Sequence, residues 1–397
     1  MLAISDDQRR TRLAVRHALV EPVASPLDVA RSLVALHSSD PSTVYLTVWA
    51  RSPHTTQQDV AREMYAERSL LRVYGMRRTL WVIERDTLPL IEHSSTQAIA
   101  PGQRRRMAKM LVDGGVTNDG EAWLDDVQRA TLALIADKGP ILTRDLSKQI
   151  PELREKLTFH NKAGELIGTV GVSTRLLVQL ALESEIIRAE PVGSWLSSQY
   201  TWSELESWLG GPIPDIDGDV ASARLLALWL ARFGPATETD IKWWTGWTLK
   251  KVRKAMQDAG VIEVQLDNGT GYVNPDDVAE VPTAGRWIAL LPSLDPTTMG
   301  WKDRDWYLGE WGTRLFDRNG NAGPTVWVDG RVAGGWTHRS DGNVAYELFE
   351  DVGREANDAL ADRAAELERW IGDVRVTARF RSPHDKELSS YPVGLHT

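Results

Sequence analysis

The chain has 397 residues, 42% of them hydrophobic and 25% charged, with a formal net charge of −9. That is long enough for several compact units of roughly 100–200 residues each and too well balanced for wholesale disorder. The absence of cysteine excludes disulfides, thiol nucleophiles and cysteine-ligated zinc, and the eight histidines are too scattered to suggest a metal site.

The N-terminus, MLAISDDQRRTRLAVRH, has acids and arginines where a signal peptide needs an apolar stretch, and no run of about 18 apolar residues occurs anywhere. A cytoplasmic protein without a membrane partner is expected. Residues 5–19 place Leu13, Ala14, His17, Ala18 and Leu19 at helical spacing behind a Ser5 or Asp6 cap. Ser25-Pro26 starts a second helix, with Val29, Leu33, Val34 and Leu36 on one face. Pro41 disfavours helical geometry at Asp40, so this helix is expected to end near His37 and leave His37-Ser38-Ser39-Asp40 on a joint. Joints between core-forming segments are where scaffolds carry chemistry. After a further apolar run, Val44 to Trp49, and a helix from Gln57 to Ala66, the stretch Leu70 to Ile83 alternates around a Gly75-Met76-Arg77-Arg78 turn. Helices closed by a basic hairpin are the plan of a winged helix.

From Glu121 the plan restarts. An amphipathic helix through Leu124, Val127, Leu134 and Ile135 breaks at Gly139-Pro140, Thr143 caps a short helix, Val172 to Ser184 forms a longer one, and a β-rich stretch follows. The same order recurs from Val220. LALWLARFGPATETDI (226–241) lies over TLALIADKGPILTRDL (131–146) at an offset of 95, with the Gly-Pro pairs in register. A Trp247–Ala259 helix and a hairpin with an Asn268-Gly269 turn complete it. Repetition of a whole supersecondary unit is stronger evidence than any single match.

Residues 285–397 change character: RWIALLPSLDP, PTVWVDGRVAGGWTHR and DVRVTARF read as strands, with one helix from Gly353 to Ile371 between them. The expected fold is therefore α+β, three tandem winged-helix modules (1–112, 121–210 and 219–282) followed by a β-barrel-like domain (283–397). Asp113–Gly120 and Pro214–Asp219 read as linkers.

Basic clusters occur at Arg9 to Arg16, at Arg104 to Lys109 and at Lys242 to Lys254, and each is either a solvated helix face or a phosphate contact. Of the 17 tryptophans, Trp49, Trp81, Trp229, Trp287 and Trp327 fall at core spacing. Trp243, Trp244 and Trp247, interleaved with lysines that include Lys250 and Lys251, are the surface candidates.

Four motifs in this order resemble the winged-helix DNA glycosylase family of the AlkZ and YcaQ type. They are LHSSDPSTVYLTVWAR (36–51), with its polar triplet, Asp-Pro and L-x-x-W-x-R tail; Met76 to Trp81 in the first wing; Leu290 to Asp295, followed by Gly300 to Arg304; and Pro324 to Trp336. The resemblance spans nearly the whole chain. It implies a DNA repair protein that hydrolyses the N-glycosidic bond of alkylated purines in double-stranded DNA, as a monomer and without a cofactor. It places the catalytic pair at His37 and Ser39, where the family's glycosylases carry Gln-x-Gln or Gln-x-Asp, and puts Trp81 at the wing's usual histidine.

A cationic alkylated purine departs neutral, so its release needs no strong acid, only a placed water and stabilisation of an oxocarbenium-like sugar. His37 can hold that water and accept its proton, with Ser39 as second partner and Asp40 orienting the ring or facing the cation. Arg77, Arg78, Trp81, Lys250 and Lys251 are the candidate DNA contacts. His338 and Asp303 are further polar residues in the C-terminal motifs. Other readings stay open: a noncatalytic DNA binder; a module that sequesters a DNA-reactive small molecule in a tryptophan-lined cleft; and, locally, His37 as a helix C-terminal residue satisfying late carbonyls with Ser39-Asp40-Pro41 as a plain capping turn.

Overall fold

The computed structural model describes residues 2–160 and 164–390. The chain divides into two compact units, one made of the residues up to Leu71, Trp81–Thr87 and those from Ala223 on, the other of Arg72–Leu80 and Leu88–Ser222. The fold is α+β.

The first helices start where the local chemistry sets them. Ser5 accepts from the Gln8 amide to cap α1 (Asp6–Arg16), and Ser25 does the same for α2 (Pro26–Leu33), whose first residue is a proline with no amide to satisfy. The chain then departs from the expected course. Val34 takes a left-handed φ of 63° and ends α2, so Ala35–His37 is not a helix end but a short strand, β2 (β1 is Leu2–Ile4). Asp40 then caps α3 (Pro41–Arg51), which is buried along its whole length.

The segments read as repeats in sequence can be compared by their strand pairing. β2 lies against β4 (Leu80–Glu84), which continues to β3 (Leu70–Tyr74), giving the order β2-β4-β3. In the next repeat β5 (Ile141–Leu142) lies against β9 (Tyr200–Glu204), followed by β8 (Ile186–Pro191). In the third, Ala236, which stands 95 residues after Ile141, bridges Tyr272 of β11 (Gly269–Val273), and β11 pairs with β10 (Ile262–Leu266). In the first two a short strand joins the second strand of the following hairpin; in the third a single bridge residue does so, and β10 also pairs in parallel with β1. The second repeat carries an insertion, the hairpin β6 (Lys156–His160) and β7 (Leu166–Gly171). In this repeat Thr143 does not cap its helix. It is the first residue of Thr143–Gln149, and its hydroxyl accepts from the Trp202 indole at 3.0 Å.

The second unit has its own core. Leu111, Leu124, Ile135, Leu146, Leu176 and Leu180 meet from the helices Gln97–Asp113, Gly120–Lys138, Thr143–Gln149 and Val172–Leu182.

The C-terminal region, expected to form a β-barrel, builds an open four-stranded antiparallel sheet, β12 (Ile288–Leu291), β13 (Thr325–Val328), β14 (Arg331–His338) and β15 (Val344–Leu348), in that order. The long helix Arg354–Ile371 packs against β12 and β15, so the two edge strands meet a helix rather than each other. Asp329 and Gly330, both at positive φ, make the tight turn between β13 and β14. Gly334 has to be glycine, since a Cβ there would lie 2.1 Å from the Glu347 carbonyl oxygen. DVRVTARF (373–380) forms no strand. It is an irregular segment whose backbone is used at the joint described next. Among the described residues no helix is long and apolar enough to cross a membrane.

Candidate functional site

His37 closes β2 opposite Trp81 of β4, and the register brings the rings to 5.0 Å in an edge-on arrangement. Both are nearly buried, at 6% and 2% exposure. Behind Trp81 an aromatic file continues through Trp244 (6.1 Å) and Trp229 (5.4 Å) to Phe233, which stacks on Trp229. Trp81 is thus a wall behind His37. The Ser39 amide donates to His37 Nδ1 at 3.4 Å, so Nδ1 is the acceptor in that contact.

Asp40 has a different task. Its Oδ1 accepts from the Ser42 amide (3.0 Å) and hydroxyl (2.7 Å), and its Oδ2 from the Arg379 amide at 2.7 Å. Arg379 in turn donates to the Ser39 carbonyl at 3.3 Å. The carboxylate therefore starts α3 and ties the irregular 373–380 segment over the joint. Ser39 is half-buried, and the neighbouring Ser38 hydroxyl is buried without a partner among the described residues.

The last residue of the same helix does what its place in the motif did not announce. Arg51 forms a bidentate pair with Asp295, at 2.8 and 2.9 Å, with both side chains fully buried. Arg51 also donates to the carbonyls of Thr47 and His17 and to the Thr297 hydroxyl; Asp295 accepts from the Thr47 hydroxyl and the Thr297 amide. Two of the motifs that carry the resemblance are thus the halves of one buried ion pair.

The Thr297 hydroxyl passes this network to His17 Nδ1 (2.9 Å), while His17 Nε2 faces the Arg232 carbonyl. Burial first, then the charges of Arg51, Arg16 and Arg232, hold the His17 pKa well below its ordinary value, the Arg232 carbonyl opposing. His338 is lowered as well, again chiefly by burial; its Nδ1 accepts from the Val376 amide and its Nε2 donates to the Gly342 carbonyl. Both histidines are neutral in the fold. The unfolded chain takes up protons near pH 6.5 that these groups refuse, so their contribution to stability is present above about pH 6.5 and is lost as the pH falls toward their lower native values. Urea midpoints should drop between pH 7.5 and pH 5.5, and His17→Gln should flatten that dependence.

The other predicted residues lie apart from the joint along the chain. Arg77 and Arg78 form the hairpin turn, both at positive φ (56° and 60°), with Arg78 exposed and 3.3 Å from Gln103. Lys250 is exposed on the helix Leu249–Ala259, and Lys251 lies 5.2 Å over the Trp247 ring. Of the three surface candidates, Trp244 and Trp247 are buried and Trp243 is half-buried under Arg304. Asp303, whose carboxyl is pushed up by burial and by Asp240, donates its amide to Asp240.

Sequence reasoning missed the inserted hairpin β6–β7, which exposes Leu166 and Ile167 at 62% and 66%. The alternation in KLTFH and LIGTVG was the available signal.

A model of the family described as DNA glycosylase AlkZ-like matches residues 30–370. Among solved structures, the chain is similar to Streptomyces sahachiroi DNA glycosylase AlkZ, with a TM-score of 0.70 at 22% identity, covering 94% of this chain and 98% of that one. At that identity the likeness speaks for the fold. No curated protein matches the chain.

Proposed function

The chain belongs to the AlkZ-like DNA glycosylase family, and on that premise we propose that it hydrolyses the N-glycosidic bond of alkylated purines, bulky adducts included, in double-stranded DNA. What carries the reading is the placement of His37 and Ser39 at the end of β2. His37 ends the strand, backed by Trp81, and Ser39 follows on the bend into a helix whose capping carboxylate is already bonded.

The chemistry follows from those positions. The Ser39 amide reaches His37 Nδ1 only at 3.4 Å, a long bond that a water on the Ser39 hydroxyl can displace. That water attacks the sugar carbon as the cationic purine leaves neutral, and its proton passes to Nδ1. Asp40, both oxygens engaged, contributes fixed negative charge near the developing sugar cation rather than a direct contact. The two sheets of like order and the similar bridge at Ala236, each beside a hairpin, support reading the chain as winged-helix modules over 1–112, 121–210 and 219–282. Arg77, Arg78, Lys250 and Lys251 are then the backbone contacts, while Trp81, being buried, supports His37 instead of touching DNA.

The test is release of N7-alkylguanine from a treated duplex by the purified chain. Release supports hydrolysis; salt-sensitive duplex binding with no release would leave only the noncatalytic reading. Arg78→Ala should weaken duplex binding at every sequence and lower the salt slope by about 1. Excision measured at saturating protein should be unchanged.

A further inference from the structure

In the second compact unit a cavity of about 530 Å³ is lined by the first turn of the helix Val172–Leu182, by the helix Thr143–Gln149 and by the hairpin β8–β9. Its lining contains two arginines and no carboxylate. Arg144 faces its neighbour Asp145 at 3.7 Å. Arg188 pairs with no carboxylate among the described residues. Its guanidinium makes one hydrogen bond, to the Tyr74 hydroxyl at 2.7 Å, and is held among the rings of Tyr74, Tyr200 and Trp202 at 5.5, 5.4 and 5.2 Å. Its Nε is buried without a hydrogen-bond partner. A second cation, Arg72, lies over the Tyr200 ring at 4.5 Å.

A guanidinium has five N–H donors in a planar fork, and burying them unbonded is costly. Here the rings fix the fork's orientation while most of its donors go unused. The hydroxyls of Ser173, Thr174 and Ser198 also line the cavity and bond no protein atom among the described residues. The helix start beside them has no side-chain cap, Gly171 being the cap residue, so its partial positive charge adds to the same field.

We propose that this cavity is a phosphate site, with Arg188 as the cation and the hydroxyls of Ser173, Thr174 and Ser198 as the donors that complete it. The site stands on this cavity alone and does not depend on the glycosidic chemistry at His37. The same chemistry recognises a free phosphate monoester and a phosphodiester of a DNA backbone.

Inorganic phosphate titrated into the full chain, followed by calorimetry, tests it. Saturable binding is expected, weakened at least tenfold in Arg188→Gln. The Ser173→Ala/Thr174→Val double variant should show a comparable loss. It leaves the aromatic cage intact and therefore decides the matter if Arg188→Gln fails to fold. No saturable phosphate binding by the wild type, or equal affinity in the double variant, overturns the proposal. Given binding, displacement of phosphate by unmodified duplex assigns the site to a DNA backbone. Simultaneous binding of both assigns it to a small phosphate ester.

Discussion

Asp295→Ala should destabilise the unit that contains it by about 3–5 kcal/mol, the range found when one member of a buried ion pair is removed. The variant leaves the Arg51 guanidinium fully buried, stripped of both carboxylate contacts, with only two carbonyls and the Thr297 hydroxyl for company. It also frees the Thr47 hydroxyl and the Thr297 amide, which now donate to Asp295. Desolvating a charge without its partner is what makes the loss large; the net worth of the intact pair is much smaller. Replacing both members by apolar residues, Arg51→Met with Asp295→Leu, should therefore recover most of the loss. Urea unfolding followed by the fluorescence of the buried tryptophans Trp301 and Trp327, in the same unit, measures both variants. Equal destabilisation by the single and double changes would show that packing, rather than the stranded charge, sets the cost.

That pair also shows where sequence reading stops. Arg51 and Asp295 were both legible as motif residues, yet 244 positions separate them, and nothing local says that they meet. Local rules served well where the chemistry is local. Ser5, Ser25 and Asp40 cap the helices that their positions suggest, and the Gly-Pro repeat at an offset of 95 reappears as Ile141 and Ala236 in equivalent pairings. They failed where a distant strand decides. Leu36 and His37 continue the α2 pattern in sequence, but β4 recruits them into a sheet. DVRVTARF alternates like a strand, but its Arg379 amide is taken by Asp40 and no ladder forms. Trp244 and Trp247 sit among lysines in sequence and are both buried, Trp244 on its helix and Trp247 in the short link before the next helix.

His37→Ala should lower the release of N7-alkylguanine by roughly 10²-fold or more, as expected for loss of a placed general base, while duplex affinity changes little. The separation of the two effects is what identifies the role. His37 is 6% exposed and lies edge-on to Trp81, so removing it touches packing as well as chemistry. His37→Gln distinguishes these contributions: an amide fills the space beside Trp81 and can hold a water, but it cannot take that water's proton. Excision by His37→Gln should then fall between wild type and His37→Ala, with the thermal midpoint close to wild type. Ser39→Ala should lose less than His37→Ala, because Ser39 only positions the water whose proton His37 accepts. Unchanged excision in His37→Ala, or a loss matched by an equal loss of duplex affinity, would remove His37 from the reaction and return the joint to a capping turn built on Asp40.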